Sequence, residues 1–287
     1  MTGASRSWLY VPGHRTDRLG KAVESGADAV VVDLEDAVPE EHKRTARLAA
    51  VDLLDRRPTA AGPAIWVRVN APGSPHWNED LAALQGAPAA GLRLPRSEDP
   101  ELVRETASRA GLPLQLLIET ARGLCAVDAL ALADPAVVGL GLGEADLAAD
   151  LRVSDDGLDW ARGRLVLACR AAGLNSPVQS VWTDVADLDG LRASSHRALA
   201  CGFFGRSVVH PRQIQVVHEV FTPSATEIAD AEQILRAAER ARAVGESAVL
   251  DERGRFIDPA VVARAQVLLD RVPQTVDPIP SEPGVPS

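Results

Sequence analysis

Two apolar runs that each lead to acidic residues constrain the fold of this chain more than any other feature. Residues 114–118 (Leu-Gln-Leu-Leu-Ile) lead to Glu119, and residues 137–143 (Val-Val-Gly-Leu-Gly-Leu-Gly) lead to Glu144 and Asp146. Nearly continuous apolar runs of this length are typical of strands buried on both faces of a parallel sheet. The intervening residues 125–132 have helical spacing, so the whole segment predicts a β-α-β unit.

The acids at the ends of these runs predict a metal site. A carboxylate at the end of a buried strand costs desolvation energy unless a partner compensates it. Glu119 and Asp146 would repel each other if both were ionised, and Mg²⁺ is commonly bound by one or two carboxylates together with water and substrate oxygens. The alternative is that both acids lie in surface loops near helix N-termini, where the helix dipole favours negative charge.

Strand and helix patterns alternate along most of the chain. The strand patterns cover residues 8–11, 29–32, 64–70, 91–95, 114–118, 137–143, 177–182 and 207–210. Eight strands alternating with helices predict an α/β fold, a (β/α)8 TIM barrel that occupies residues 1–222 and has about the usual size for this architecture. A doubly wound open sheet is the competitor, and the lack of a G-x-G-x-x-G motif in the first β-α turn disfavours it.

The pattern changes after residue 222. A long Ala/Glu/Arg helix with Ser224 as its N-cap, a hairpin that turns at residues 251–254, and a last helix that starts with Pro259 predict a C-terminal helix-hairpin-helix segment over residues 223–272. This segment has few apolar residues, so we expect it to pack on the barrel or on a neighbouring subunit. The proline-rich residues 273–287 predict a disordered tail.

Composition and charge narrow the range of partners. The formal net charge of −10 argues against binding to nucleic acid or to a membrane surface, because polyanions would be repelled. No apolar run is long enough to span a membrane, and the N-terminus has no apolar export signal. Cys125, Cys169 and Cys201 match no zinc pattern and lie in apolar surroundings, which predicts buried, reduced thiols and a cytoplasmic location.

In barrels of this class the active site lies at the C-terminal ends of the strands, which we call the barrel mouth. The charged residues predicted there are Asp33, Glu35, Asp36, Arg68, Arg96, Glu119, Glu144, Asp146 and His210. This acid-rich set suits a divalent metal and an anionic substrate. Arg68 lies among apolar neighbours and requires an anionic partner, which is either a substrate carboxylate or an internal salt bridge to Asp33 or Glu35.

The stretch from residue 202 to residue 214 combines glycines with basic residues. Glycines let a backbone approach a ligand, and Arg206 and Arg212 could bind phosphate groups. The alternative is a glycine-capped helix end followed by surface arginines. A single histidine at a strand end, such as His210, is more often a structural hydrogen-bonding group than a base.

Eight short motifs, taken in order, resemble the citrate lyase beta-subunit-like branch of the aldolase/citrate lyase superfamily, which includes malyl-CoA and citramalyl-CoA lyases. They are RSWLYVPG (6–13), DLEDAV (33–38), VRVN (67–70), RLP (93–95), IETARG (118–123), GEADL (143–147), GF with HPRQI (202–203 and 210–214), and ID (257–258). Each motif is modest alone, but their order along nearly the whole chain is specific.

The resemblance implies a Mg²⁺-dependent (β/α)8 barrel that cleaves a β-hydroxyacyl-CoA thioester, such as malyl-, citramalyl- or citryl-CoA, into a 2-oxo acid and an acyl-CoA. It implies homotrimers or hexamers in which the C-terminal segment covers a neighbour's site. The residues it implies are Glu119 and Asp146 for the metal, Arg68, Glu119, Arg206 and His210 for substrate, and Asp36, Arg68 and Asp258 for catalysis.

Departures from the usual motifs bear on the acyl group and on the use of CoA. Arg96 and Arg206 stand where lysine is common, Gln179 where an acid is common, and Phe256 where methionine is usual. Two other functions remain open on the same scaffold. One is a malyl- or citramalyl-CoA thioesterase or a malate-synthase-like Claisen enzyme, and the other is a non-catalytic lyase subunit that depends on a partner.

Overall fold

The computed structural model describes residues 5–56 and 62–272, and its backbone divides into two units between Phe221 and Thr222. The first unit is built on seven parallel strands. They are β1 (Ser7–Pro12), β2 (Ala29–Asp33), β3 (Ala64–Arg68), β4 (Gly91–Leu94), β5 (Leu114–Ile118), β6 (Val137–Leu142) and β7 (Arg206–Val208). Their order in the sheet is β6-β5-β4-β3-β2-β1-β7, so nearly every strand pairs with its neighbour in sequence.

The segment predicted as the seventh strand closes this sheet into a ring without forming a regular strand. Val178 bridges Gly141 of β6, and Gln179 bridges Arg206 of β7, both in parallel. The N–H of Gln179 donates to the carbonyl of Gly205 at 3.1 Å, and the carbonyl of Gln179 accepts from the N–H of Ser207 at 2.9 Å. The expected (β/α)8 barrel is therefore confirmed, with a pair of bridges in place of one strand.

Helices in the connections between successive strands surround the sheet. They are α1 (Thr16–Val23), α2 (Lys43–Asp55), α3 (Trp77–Leu84), α4 (Pro100–Ala110), α5 (Ala121–Cys125), α6 (Val127–Ala131), α7 (Glu144–Leu151), α8 (Asp159–Ala171), α9 (Leu188–Ala200) and α10 (Ile214–Phe221). The main core lies between sheet and helices, where alternate strand residues such as Val30, Val32 and Leu116 are fully buried. Helix α4 begins directly after Asp99, whose side chain caps it by accepting the N–H of Glu101.

The other face of each strand fills the barrel interior. Trp8, Val31, Trp66 and Val178 pack there as a separate apolar cluster. Gly91 of β4 makes this packing possible, since a Cβ at that position would lie 2.7 Å from Cη2 of Trp66. The interior is therefore a packed core, as expected for this architecture.

The second unit contains the elements predicted after residue 222. They are α11 (Ala225–Ala243), the antiparallel pair β8 (Val249–Leu250) and β9 (Phe256–Ile257), and α12 (Pro259–Leu269). Ser224 and Glu227 form a capping box at the start of α11, as the Ser224 N-cap prediction anticipates. The predicted tail, residues 273–287, lies outside the described residues.

Two further sequence expectations can be compared with the structure. Cys169 is buried as predicted, but Cys125 and Cys201 are exposed, because one ends α5 and the other directly follows α9. All three thiols are free. Within the described residues, every helix is too short or too polar to cross a membrane.

Candidate active site

Arg68 and Asp33 form the centre of the barrel mouth. They are the last residues of β3 and β2, and they lie opposite each other in the sheet register. Nε of Arg68 donates to Oδ1 of Asp33 at 2.7 Å, and Nη2 donates to Oδ2 at 2.8 Å. Of the two partners that the sequence left open for Arg68, the internal salt bridge is thus present.

Two more carboxylates compete for the rest of the guanidinium. Nη1 of Arg68 lies 2.9 Å from Oε2 of buried Glu35 and 3.3 Å from Oδ2 of exposed Asp36. A guanidinium carries five N–H groups, and the hydrogen bonds to Asp33 and Asp36 use three of them, so two remain for a substrate carboxylate. The predicted residues Asp36 and Arg68 are therefore brought together.

Two acids of the mouth, Glu35 and Glu119, have raised pKa values. Burial raises the pKa of Glu35 to about 8, with Arg68 opposing the shift and Asp36, Glu119 and Asp33 adding to it. Burial likewise raises the pKa of Glu119 to about 7, where Arg68 again opposes the shift and nearby acids add to it. The mouth is thus short of positive charge, which is the electrostatic condition that a divalent cation relieves.

Glu119 sits in a cradle that glycine keeps open. The backbone N–H of Arg96, a residue in the left-handed region with φ of 46°, donates to Oε2 of Glu119 at 2.8 Å. A Cβ on Gly143 would lie 2.7 Å from Oε1 of Glu119 and closer still to its Cγ. The glycine that precedes α7 therefore leaves room for the carboxylate, and any larger residue would collide with it.

Asp146 and Glu144 follow the same strand but have different environments. Glu144 is buried and paired with Arg162, whose Nη2 and Nε donate to its two oxygens at 2.8 Å and 3.1 Å. Asp146 is exposed in the first turn of α7, and its charge raises the pKa of Glu119. The predicted pair Glu119 and Asp146 is thus close enough to interact electrostatically, whereas Glu144 is committed to Arg162.

Glu119 and Asp146 fit a magnesium site in which the protein leaves coordination positions open for water and substrate. Among the described residues, no three His, Cys, Asp or Glu side chains gather closely enough to hold a metal by themselves. Mg²⁺ typically binds one or two carboxylates and completes its octahedron with water and substrate oxygens. The oxygen-only donor set and the raised pKa of Glu119 both suit that ion.

Arg206 does not reach the barrel mouth, contrary to the expected contact with substrate. Its side chain is 1% exposed, and Nη1 donates to Gln179 at 2.9 Å and to Ser194 and Ser195 of α9 at 3.1 Å each. Side chains alternate along a strand, and the neighbouring Ser207 is the one that points inward. Arg206 and Gln179 therefore pair with each other between sheet and helix.

His210 and Asp258 both cap helical turns. Nδ1 of His210 accepts the N–H of Arg212 at 3.2 Å, at the start of the turn formed by Pro211–Gln213. This is the structural alternative that the sequence left open for the histidine, and the side chain is exposed beyond β7. In the second unit, Asp258 caps α12 by accepting the N–H of Val261 at 2.9 Å.

The sequence analysis gave no role to Arg93 and Tyr10, two interior residues beneath the mouth. Arg93 is 1% exposed, and its Nη1 donates to Oη of Tyr10 at 2.8 Å and to Oγ of Ser207 at 3.1 Å. Both residues fall within the motifs quoted above but received no role there. The available signal was the position of Arg93 between Leu92 and Leu94, since an arginine within an apolar strand requires buried partners.

A buried lysine that the sequence did not single out fixes the loops of the mouth. Nζ of Lys43 on α2 donates to the carbonyls of Leu34 and Glu35 at 2.8 Å each, and to Oδ1 of Asn70 at 2.6 Å. These bonds join the loop after β2 to the loop after β3. The ammonium thereby fixes the backbone that carries the acids around Arg68.

Several known proteins are similar to this chain in both sequence and fold. L-malyl-CoA/beta-methylmalyl-CoA lyase of Cereibacter sphaeroides is 30% identical in an alignment of 302 positions that covers 92% of this chain and 93% of that protein. The citrate lyase subunit beta-like protein of Deinococcus radiodurans is 35% identical over 277 residues, covering 92% and 96%. The structure of CitE from Mycobacterium tuberculosis in complex with magnesium, acetoacetate and coenzyme A has a TM-score of 0.80 at 33% identity, covering 93% of this chain and 98% of that one.

The family assignment rests on most of the barrel. Residues 6–211 match the description HpcH/HpaI aldolase/citrate lyase, and this range includes Arg68, Glu119 and Asp146. It confirms the resemblance read from the eight motifs. The chain therefore belongs to the HpcH/HpaI aldolase/citrate lyase family.

Proposed function

We propose that this chain is a Mg²⁺-dependent carbon–carbon lyase that cleaves or forms a β-hydroxyacyl-CoA thioester, such as malyl-, citramalyl- or citryl-CoA. The products of cleavage are a 2-oxo acid and an acyl-CoA. One observation carries the proposal: the Arg68 guanidinium and the Glu119–Asp146 pair occupy the same barrel mouth in a member of this lyase family. Relatives named malyl-CoA lyases, and a relative's complex with magnesium and coenzyme A, support it.

Glu119 and Asp146 would hold the metal, and Arg68 would bind the oxo acid. Magnesium, when bound, supplies Lewis-acid polarisation of the oxo acid's oxygens. The N–H groups of Arg68 that Asp33 and Asp36 do not occupy would stabilise negative charge on the substrate carboxylate and on the hydroxyl oxygen that loses its proton as the carbon–carbon bond breaks. Glu119 would thus lie beside both metal and substrate.

Proton transfer requires groups that the mouth and the C-terminal segment supply. In cleavage, a base takes the hydroxyl proton, the carbon–carbon bond breaks, and its electron pair becomes the thioester enolate, which is then protonated. Asp258, contributed by the C-terminal segment of a neighbouring subunit, would act as acid and base, and Asp36 would orient water or the base. His210, exposed beyond β7, would contact the CoA moiety.

This role for Asp258 requires an assembly, and we propose a homotrimer or hexamer in the cytoplasm. The hairpin beside Asp258 gives physical support, because its cross-strand pair Leu250 and Phe256 is 64% and 62% exposed. Apolar side chains paired on an open surface are stabilised when a second surface covers them. No interaction with nucleic acid or membrane is part of the proposal.

The test is turnover by the purified chain with Mg²⁺ and a panel of 2-oxo acids and acyl-CoAs. A lyase interconverts the condensed thioester with its two parts and releases no free CoA thiol. Stoichiometric thiol release together with a condensed acid identifies a synthase or thioesterase, and no turnover with any pair identifies a partner-dependent subunit. Asp146→Asn is expected to abolish Mg²⁺-dependent turnover, while the control Asp128→Asn, a surface acid paired with Arg164, is expected to retain it.

A further inference from the structure

Tyr10 lies between two guanidinium groups in the barrel interior. The Cζ of Arg68 is 5.2 Å from the centre of the Tyr10 ring, and the Cζ of Arg93 is 5.4 Å from the same ring. Both distances are within the range of a cation–π contact. The tyrosine on β1 thus joins an arginine of the mouth to an arginine buried beneath it.

Tyr10 is itself fixed from below. Its Oη accepts a hydrogen bond from Nη1 of Arg93 at 2.8 Å, and the same nitrogen donates to Ser207 on β7 at 3.1 Å. The Cζ of Arg93 also lies 5.1 Å from the ring of Trp8. Burial raises the pKa of Tyr10, against the pull of Arg93 and Arg68, so the phenol stays neutral and offers each cation an aromatic face.

The Arg68 guanidinium requires the support of the Tyr10 ring because three carboxylates attract it. Asp33, Glu35 and Asp36 all lie within 3.3 Å of its nitrogens. The hydrogen bonds that Arg68 donates to Asp33 and Asp36 act along the edge of the guanidinium, so they fix its in-plane direction more than its tilt. A ring beneath the guanidinium fixes the tilt, and therefore the direction in which the remaining N–H groups point.

We propose that Tyr10 is a positioning residue that holds Arg68 in the orientation required to bind the 2-oxo acid. The inference rests on the proposed function, in which Arg68 binds that acid. Tyr10 acts through Arg68 and leaves the metal pair untouched. The aromatic ring carries the effect, and the hydroxyl serves to anchor the ring on Arg93.

The experiment is a double-mutant cycle between Tyr10 and Arg68, measured as binding of pyruvate and of oxaloacetate at saturating Mg²⁺ by titration calorimetry. Tyr10→Leu removes the aromatic face and is expected to weaken binding about tenfold, which lies between the scale of an exposed and that of a desolvated cation–π contact. Tyr10→Phe keeps the ring and is expected to stay within about threefold of wild type. In an Arg68→Met background, Tyr10→Leu is expected to cost nothing further, because there is no guanidinium to hold.

Two measurements separate positioning from a general structural effect. The Mg²⁺ dissociation constant is expected to be the same in wild type and Tyr10→Leu. Ser207→Ala, which removes the other acceptor of Arg93 Nη1, is expected to leave oxo-acid binding within about threefold. If Tyr10→Leu does not fold, Tyr10→Met replaces it under the same criteria.

Three results would contradict the positioning role of Tyr10 or the proposed function. Equal oxo-acid affinity in wild type and Tyr10→Leu, with Arg68→Met weakened, would overturn the positioning role and leave the proposed function standing. An equal loss from Tyr10→Leu in the presence and absence of Arg68 would also overturn it, since the effect would not pass through the guanidinium. A wild-type protein that binds neither oxo acid with Mg²⁺ would overturn both proposals together.

Discussion

Replacing Gly143 by alanine tests whether the space around Glu119 is what allows a metal to bind. The added Cβ would lie 2.7 Å from Oε1 and 2.9 Å from Cδ of Glu119, where carbon contacts need about 3.5 Å. The glycine has φ of −85°, which alanine adopts readily, so backbone strain contributes nothing. The substitution therefore acts by collision with the carboxylate alone.

The size of the effect follows from the cost of such overpacking. Inserting a methyl group into a filled site typically costs about 1–3 kcal/mol. If the carboxylate relieves the collision by turning away, this cost appears as about a 5- to 150-fold weaker affinity for Mg²⁺. We expect Gly143→Ala to fall in this range, with a corresponding loss of turnover at limiting metal.

Strand β6, which ends directly before Gly143, supplies a matched control. Gly139 faces the interior four residues earlier, but its added Cβ would lie 3.6 Å from Nε2 of Gln115, which is an ordinary contact. Titration calorimetry with Mg²⁺ should therefore distinguish Gly143→Ala from Gly139→Ala, and thermal unfolding should show both folded. Equal Mg²⁺ affinity in the two variants would show that the Glu119 cradle is not part of a metal site.

Three further expectations concern the charges. Glu119 must lose its proton to bind a metal, and its pKa is raised to about 7, so Mg²⁺ affinity should fall about tenfold per pH unit below that value. Mg²⁺ titrations from pH 5.5 to 8 would measure this dependence, and an affinity that does not change with pH would contradict it. Glu35 and Glu119 bind protons more tightly in the folded than in the unfolded protein, so the metal-free Tm should fall as pH rises from 6 to 8. Glu119→Gln should lessen that fall and abolish turnover. A Tm that rises with pH over this range would contradict the expectation. Arg206→Lys should cost about 1–3 kcal/mol of stability by denaturant unfolding yet leave the KM for acyl-CoA unchanged, and a raised KM would return Arg206 to the substrate site.

The sequence specifies the positions of the strand ends better than the directions of the side chains. Apolar runs that stop at an acid mark where β2, β5 and β6 end, because a buried strand must return to polar surroundings there. Glu119 and Asp33 were therefore placed correctly at the mouth. Residues 177–182 have only a weak strand pattern, and in the structure this segment pairs through two isolated bridges at Val178 and Gln179.

Errors over individual side chains have a common origin in the two-residue period of a strand. A shift of one position exchanges the interior for the outer layer, so Arg206 and Ser207 could not be assigned to their faces from the sequence. Arg93 was overlooked for a related reason, because arginines are usually exposed and only its partners Tyr10 and Ser207 show why it is buried. Both cases need tertiary contacts that no local pattern contains.

The bridges at Val178 and Gln179 give the barrel one joint that is weaker than the rest. Strands β1 to β5 are each secured by full ladders on both sides, whereas β6 meets Val178 through a single bridge. Asp33 and Arg68 therefore end two strands that have full ladders on both sides, while Asp146 follows the strand beside the joint. If that bridge opened, Asp146 would move relative to Arg68 while the ion pair between Arg68 and Asp33 stayed intact.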